Sequence, residues 1–545
     1  MKKRIVTLMA ASLLLSSFVA GCTSKPNSTP SDGGTAAPGT SSPANQTATY
    51  PMKTDQKLSY WATLQGNLVG VKSSLDEVPF FQDWQKKTGV TLKYTTAPNN
   101  GNEQQFNVML ASGDLPDMIE YNWTNGYPGG PEKAIKDGYI LKLNDLIDKY
   151  APNLKKYLKE HPEIDKMVKT DNGSYYVFPF IRGDSYLQVF HGPIVRKDWL
   201  DDLGLPVPTT IDEWYTTLKA FKEKKGASAP ISFVGQPNPL NDTVTGDFVG
   251  AFGVTNGFYL DNGKIKYGPM EQGFKDFLAT FRKWYAEGLI DKNLATTDMK
   301  AIDANFANGM TGATVGNAGG GIGRWQPIVA GKDPKAVLIG TTYPTLKKGD
   351  TPQFGQLDVP FTPSGSVAIS AKSKNAELAV KMLDYGYSEE GKTFFNFGTE
   401  GVSYTMDNGN PRYTDLVMKN PDKLAVAQAM ALYARGGYTG PFIQDKRYAE
   451  QYFALQTQRD AVTAWQKTDM VKHQLPPVTP TPDESTEFAK IMNDMNTLVN
   501  EMILKIVLGA EPVESFDKYA EKMKAMKIDR ALEIQQAALD RYNKR

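Results

Sequence analysis

Cysteine is almost absent: Cys22 is the one cysteine in 545 residues, which removes an internal disulfide framework from consideration. Histidine is nearly as scarce. His161, His191 and His473 show neither metal-ligand spacing nor the context of a nucleophile triad. Beyond the N-terminus no apolar run is long enough to span a bilayer. The chain also lacks an excess of either charge. Its formal charge is +1, which loss of the three basic residues of the leader turns into −2, and such near neutrality argues against a nucleic-acid partner. The glycine run Gly319–Gly323 has no Lys-Ser/Thr ending, so it is no phosphate loop. Asp261-Asn262-Gly263-Lys264 lacks the alternating acids and distal Glu of a calcium loop. Neither a metal nor another cofactor is expected.

What is present begins with an export signal. Lys2, Lys3 and Arg4 precede the apolar stretch Ile5 to Ala20, which reads as a secretory signal over residues 1–21. Val19-Ala20-Gly21-Cys22 places small residues before the cysteine, the pattern of a bacterial lipobox. Lipidation at Cys22 is therefore expected, because two or three acyl chains anchor durably where one does not. Residues 22–55 are dominated up to Thr49 by Ser, Thr, Pro, Gly, Ala and Asn, a composition that buries too little apolar surface to fold. They form a tether, with a root-mean-square reach of roughly 30 Å.

From about Gln56 the composition is that of a globular protein, and the chain is 40% hydrophobic and 22% charged. Strands expected at Leu58–Leu64, Val90–Tyr94 and Met118–Tyr121 alternate with helices at Val78–Lys87 and Glu103–Ala111. This alternation predicts a parallel sheet covered by helices. A second series, with strands at Pro230–Val234, Gly312–Val315 and Val337–Gly340 and a helix at Gly273–Glu287, predicts a second lobe. The extended stretch Ser174–Val195 is a candidate for chain passing between the two. Asn172-Gly173, Asn262-Gly263 and Asn408-Gly409 suit two-residue hairpin turns. A stripe from Phe488 through Ile491, Met495, Val499, Met502 and Ile506 to Val507 recurs at helical spacing before Gly509. It predicts a core helix rather than a methionine-rich partner groove.

Several motifs carry a resemblance. Ser112-Gly113-Asp114-Leu115-Pro116-Asp117-Met118-Ile119, the stretch from Pro193 to Leu205, Pro208-Thr209-Thr210-Ile211-Asp212-Glu213-Trp214, Thr362-Pro363-Ser364-Gly365-Ser366 and Gly398-Thr399-Glu400-Gly401-Val402-Ser403-Tyr404 together resemble family 1 of the extracellular solute-binding proteins, the maltose-binding type. Within it they are similar to the lipoprotein subgroup of ABC importer substrate-binding proteins, with alginate- and oligosaccharide-binding relatives. The resemblance implies an α/β, two-lobed periplasmic-binding-protein type II fold with an interlobe cleft and a helical C-terminal portion. The lobes are expected from residues 56–183 with 365–402, and from 184–364 with 403–545. It further implies a monomer tethered to the cell membrane outside the cell, handing an oligosaccharide to ABC permease subunits without doing chemistry on it. A peptide or other non-sugar solute is the alternative, and an exported polysaccharide hydrolase a more distant one.

In open sheets ligands bind at the carboxyl ends of strands, and the resemblance places the residues after Ile119 at the cleft. Tyr121, Asn122 and Trp123 are therefore ligand candidates, offering aromatic faces and an amide to a sugar. Arg182 and Asp184 interrupt an apolar run at the expected crossing, where their partner is either ligand or an internal ion. Gln236, Asn238 and Asn317 follow strands of the second series. Trp325 follows the glycine run, where small residues would admit a ligand, and Tyr404 comes from an expected second crossing.

Overall fold

The computed structural model describes residues 48–98, 101–234 and 247–545. The expectations for Cys22, Gln236 and Asn238 lie outside the described residues. Among the described residues no helix is long and apolar enough to cross a membrane.

Along the chain come strands β1 (Lys57–Thr63), β2 (Thr91–Ala97), β3 (Met118–Glu120), β4 (Phe178–Arg182) and β5 (His191–Arg196). β6 (Phe258–Asp261), β7 (Lys264–Tyr267), β8 (Ala313–Asn317), β9 (Leu338–Gly340) and β10 (Phe361–Ile369) follow, then β11 (Tyr404–Asp407), β12 (Asn410–Tyr413) and β13 (Ile443–Gln444). The first sheet has the order β13-β4-β10-β3-β1-β2. Its β1, β2 and β3 are parallel, as the strand-helix alternation predicts, because the helices Pro79–Thr88 and Asn102–Ser112 serve as crossovers. Each of these helices stops at a left-handed glycine, Gly89 at φ 75° and Gly113 at φ 69°, where a side chain would be strained.

The second sheet departs from the parallel expectation. β5 lies between β8 and β9 and is antiparallel to both. β8 and β9 point the same way and are joined through the helix Gly323–Lys332. They make a strand-helix-strand unit into which β5, arriving from the first sheet, is inserted. Pro230–Val234 is not a full strand: Ile231 alone bridges to Ala313 and to Ile290.

The chain crosses between the sheets at residues 183–190, again at 341–360, and leaves the first sheet a last time after Gln444. Residues 361–362 and 443–444, drawn with the second lobe from the sequence, pair in the first sheet, Phe361 with Ile181 and Ile443 also with Ile181. Each sheet has its own core. The first gathers Tyr60, Trp61, Phe80, Trp84, Phe178 and Ile369; the second gathers Trp214, Phe248, Phe277, Phe281 and Trp284.

The methionine-bearing stripe belongs to that second core. The helix Pro482–Val507 buries Ile491, Met495, Val499, Met502, Ile503 and Ile506, and Thr481 caps it by accepting from Glu484 N while Glu484 accepts from Thr481 N. At the start of the helix Ile211–Lys225, Thr210 accepts from Glu213 N at 3.1 Å, but Glu213 turns back to Thr209, not Thr210. Asn262-Gly263 and Asn408-Gly409 close the β6–β7 and β11–β12 hairpins with both residues at positive φ. Asn172-Gly173 instead sits in a turn closed from Gly173 N to Thr170 O.

The last helix, Ile528–Asn543, starts in the second core, where Ile528 and Ala531 pack, and ends against the first lobe. There Arg541 and Arg545 both bind Asp171, with Nε–Oδ distances of 2.7 and 2.9 Å. Lys166 lies 4.7 Å from the centroid of Tyr542.

Candidate functional site

Three adjoining cavities of about 290, 460 and 310 Å³ form one groove. The first two share Tyr438 and Thr439 in their walls, and the last two share Phe190 and Asn317. The first cavity is built on the carboxyl ends of β1 and β3. Gln65 follows β1, and Glu120, Tyr121 and Asn122 end and follow β3. A bulge in β10 between Thr362 and Val367 turns Ser364 and Gly365 into the same wall. Gly365 is required there, since a Cβ would fall 1.9 Å from Thr439 Oγ1.

A buried ion pair fixes this end. Arg435 Nη2 donates to Glu120 Oε1 at 2.6 Å, and Arg435 Nε donates to the Thr439 carbonyl at 2.7 Å. Tyr60 Oη completes the shell of Glu120 by donating to Oε2. The loop that carries Tyr438 and Thr439 is thereby tied to β3. Gln65 contrasts with this: its amide is buried, and neither polar atom has a partner among the described residues.

The middle cavity is floored by the crossing segments. Tyr186, Leu187, Val189 and Phe190 come from the first, and Gln444, Tyr448, Tyr452 and Phe453 from the last. Arg182 lies in this wall, where it pairs with Asp358 and donates from Nη1 to the Leu187 carbonyl and Gln444 Oε1. Burial pushes the phenols of Tyr186, Tyr438, Tyr448 and Tyr452 above their ordinary range, so they serve as uncharged hydroxyls. The third cavity is lined by His191, Gln356, Asp358 and Asn317. His191 Nδ1 stands 2.8 Å from Asn317 Oδ1, and its Nε2 3.3 Å from the buried Asp247 carboxylate.

Of the residues singled out from sequence, the groove brings together Tyr121, Asn122, Arg182 and Asn317. Tyr121 stacks on Phe106 with centroids 3.8 Å apart. Asn122 Nδ2 reaches Ser364 Oγ at 3.4 Å, and its Oδ1 accepts from Thr124 N. Trp123 is a correction: it is fully buried, edge-on to Phe106 at 5.2 Å, because Phe106 and Tyr127 enclose the indole. Trp325 is also core, packed on Phe306 with its indole N–H on Asp303. The room left by Gly316 and Gly321 is filled by this tryptophan and that of Gly319 by Tyr452, so the glycine run first serves packing. Tyr404 is buried against Phe397 in the β11–β12 hairpin, which is not a crossing. Asp184 caps the short helix Ser185–Gln188 and pairs with Lys446 at 3.1 Å, the internal ion pair weighed above.

Residues 72–393, more than half of the chain, match the family described as bacterial extracellular solute-binding protein. The chain belongs to that family. Among relatives of this solute-binding protein, the fructooligosaccharide ABC transporter substrate-binding protein FusA of Streptococcus pneumoniae is 25% identical over 86% of this chain and 87% of its own. Lipoprotein LipO of Bacillus subtilis is 26% identical over 67% of this chain and 72% of its own. Among solved structures, the alginate-binding protein AlgQ2 without calcium ion superposes with a TM-score of 0.75 at 29% identity, over 91% of this chain and 100% of AlgQ2. The two-lobed α/β fold of the solute-binding proteins is thus the fold of this chain.

Sequence reasoning missed Gln65 and Asn67, which follow β1 by the same strand-end rule that singled out Tyr121. It missed Arg435, Tyr438 and Thr439 because no periodicity marks an irregular loop. Among the described residues no group of three or more His, Cys, Asp or Glu is placed to hold a metal ion.

Proposed function

We propose that this chain is the extracellular, lipid-anchored substrate-binding component of an ABC importer, and that it binds an oligosaccharide by lobe closure without chemistry on it. The observation that carries this is one groove running through three cavities, with half-buried Tyr186, Phe190, Tyr438 and Tyr452 beside the amides of Gln65, Asn122 and Asn317. Rings offer faces to sugar rings, and amides pair with hydroxyls in both directions. Tyr121, Asn122, Arg182 and Asn317 are the contacts retained from the sequence, joined by Gln65, Phe190 and Tyr438. FusA, named for fructooligosaccharide, supports the substrate class, and the name of LipO supports anchoring through Cys22.

Among the described residues the groove is lined by two carboxylates, Glu120 and Asp358, each engaged by an arginine, which favours binding over a hydrolase's acid pair. Closure follows if ligand binds the closed form better than the open one. The test is a thermal-shift screen of oligosaccharides and peptides; a ligand at 100 times its Kd adds about 2.7 kcal/mol to stability. Stabilisation by peptides alone would refute the sugar reading. Membrane release of a Cys22→Ser chain is the matching test of the anchor.

A further inference from the structure

We propose that the groove selects uncharged oligosaccharides and rejects those bearing uronate carboxylates, an inference that rests on the carbohydrate reading above. The relatives do not decide this point, since fructooligosaccharides are neutral and alginate is a polymer of uronic acids. The wall chemistry does.

Two guanidinium groups line the three cavities among the described residues, and no lysine does. Both are committed to carboxylates of the same wall, Arg435 to Glu120 and Arg182 to Asp358. Further hydrogen bonds run from Arg435 to the Thr439 carbonyl and from Arg182 to the Leu187 carbonyl and Gln444 Oε1. An incoming carboxylate would therefore meet guanidinium groups whose charge Glu120 and Asp358 already neutralise, and would either displace one of these or sit as a second anion beside it. A further carboxylate, Asp247, is buried 3.3 Å behind His191. The segments 99–100 and 235–246 hold no Lys or Arg, and their one charged residue is Asp242. Apart from the His191 imidazole, which faces Asp247, the remaining polar side chains of the lining are amides, hydroxyls and phenols, all matched to sugar hydroxyls.

The experiment is titration calorimetry on the mature chain at low ionic strength, where charge effects are least screened. One panel holds neutral tri- and tetrasaccharides of fructose, galactose, glucose and xylose; the other holds galacturonate and alginate oligomers of the same lengths. At least one neutral sugar is expected to bind, with every uronate oligomer at least tenfold weaker. A uronate oligomer binding as tightly as the best neutral sugar overturns the charge selectivity and leaves the carbohydrate reading standing. No binding by any glycan overturns both. Asp358→Asn releases Arg182, and this variant, if it retains the Tm of the parent, is expected to gain at least tenfold in uronate affinity. A folded variant with no such gain overturns the inference as well.

Discussion

The first and middle cavities of the groove are held in shape by different physics. In the first, a loop is fixed by a buried ion pair, Arg435 with Glu120, whose members are 3% and 7% exposed. In the middle one, the wall is made of aromatic rings packed on the segments that cross between lobes. The difference teaches where each part of the groove gets its geometry. Charge buried in the polar end is satisfied before any ligand arrives, so that end is preorganised. Under the proposed closure, rings on crossing segments would change position with the lobes, which makes the middle the place where motion and recognition meet.

The comparison is broken most severely at Arg435. Arg435→Met leaves Glu120 buried without its cation and is expected to cost about 3–5 kcal/mol of stability, read by urea denaturation. The double variant Glu120→Gln with Arg435→Met is expected to recover most of that loss. Phe190→Ala, in the middle cavity, should behave oppositely. It is expected to weaken glycan binding about tenfold, near 1.4 kcal/mol, while moving the Tm little, since Phe190 is only half-buried.

Gln65→Ala sharpens the comparison within the polar end. Its amide has no partner among the described residues, so removal is expected to leave stability unchanged or higher while lowering affinity by ~1 kcal/mol. Calorimetry and melting on one sample separate the two effects.

The last effect concerns pH and lies away from the groove. Burial raises the Asp384 carboxyl to about 6 from an ordinary 3.8, even though it accepts from Asn153 and Leu154. Between those values the native state binds more protons than the unfolded chain. Stability is therefore expected to rise as pH falls from 7 towards 4, with a flatter profile in Asp384→Asn. Glycan affinity should not follow that curve.

Much of the fold was legible because its signals are local. The alternation over residues 57–120, the helix-ending glycines Gly89 and Gly113, and two of the three Asn-Gly hairpins are decided within a few residues. The antiparallel placement of β5 was not, because it depends on where a crossing strand inserts between β8 and β9. In the groove, the strand-end rule pointed to Tyr121, Asn122 and Asn317. It could not separate Tyr121 from Trp123, which differ only in which one Phe106 and Tyr127 enclose. Arg435, distant from Glu120 by 315 positions, left no trace in any window of sequence.

The terminal helix carries one more consequence. At 1.5 Å per residue the 16 residues of Ile528–Asn543 make a rod of roughly 24 Å. One end is seated in the second core, and the other is pinned to Asp171 by two guanidinium groups. Any swing of one half of the molecule relative to the other must pivot on that strut or release its pin. In the proposed lobe closure the ionic contacts at Asp171 are expected to limit how far the mouth of the groove opens, and added salt, by loosening them, to widen the range of the swing.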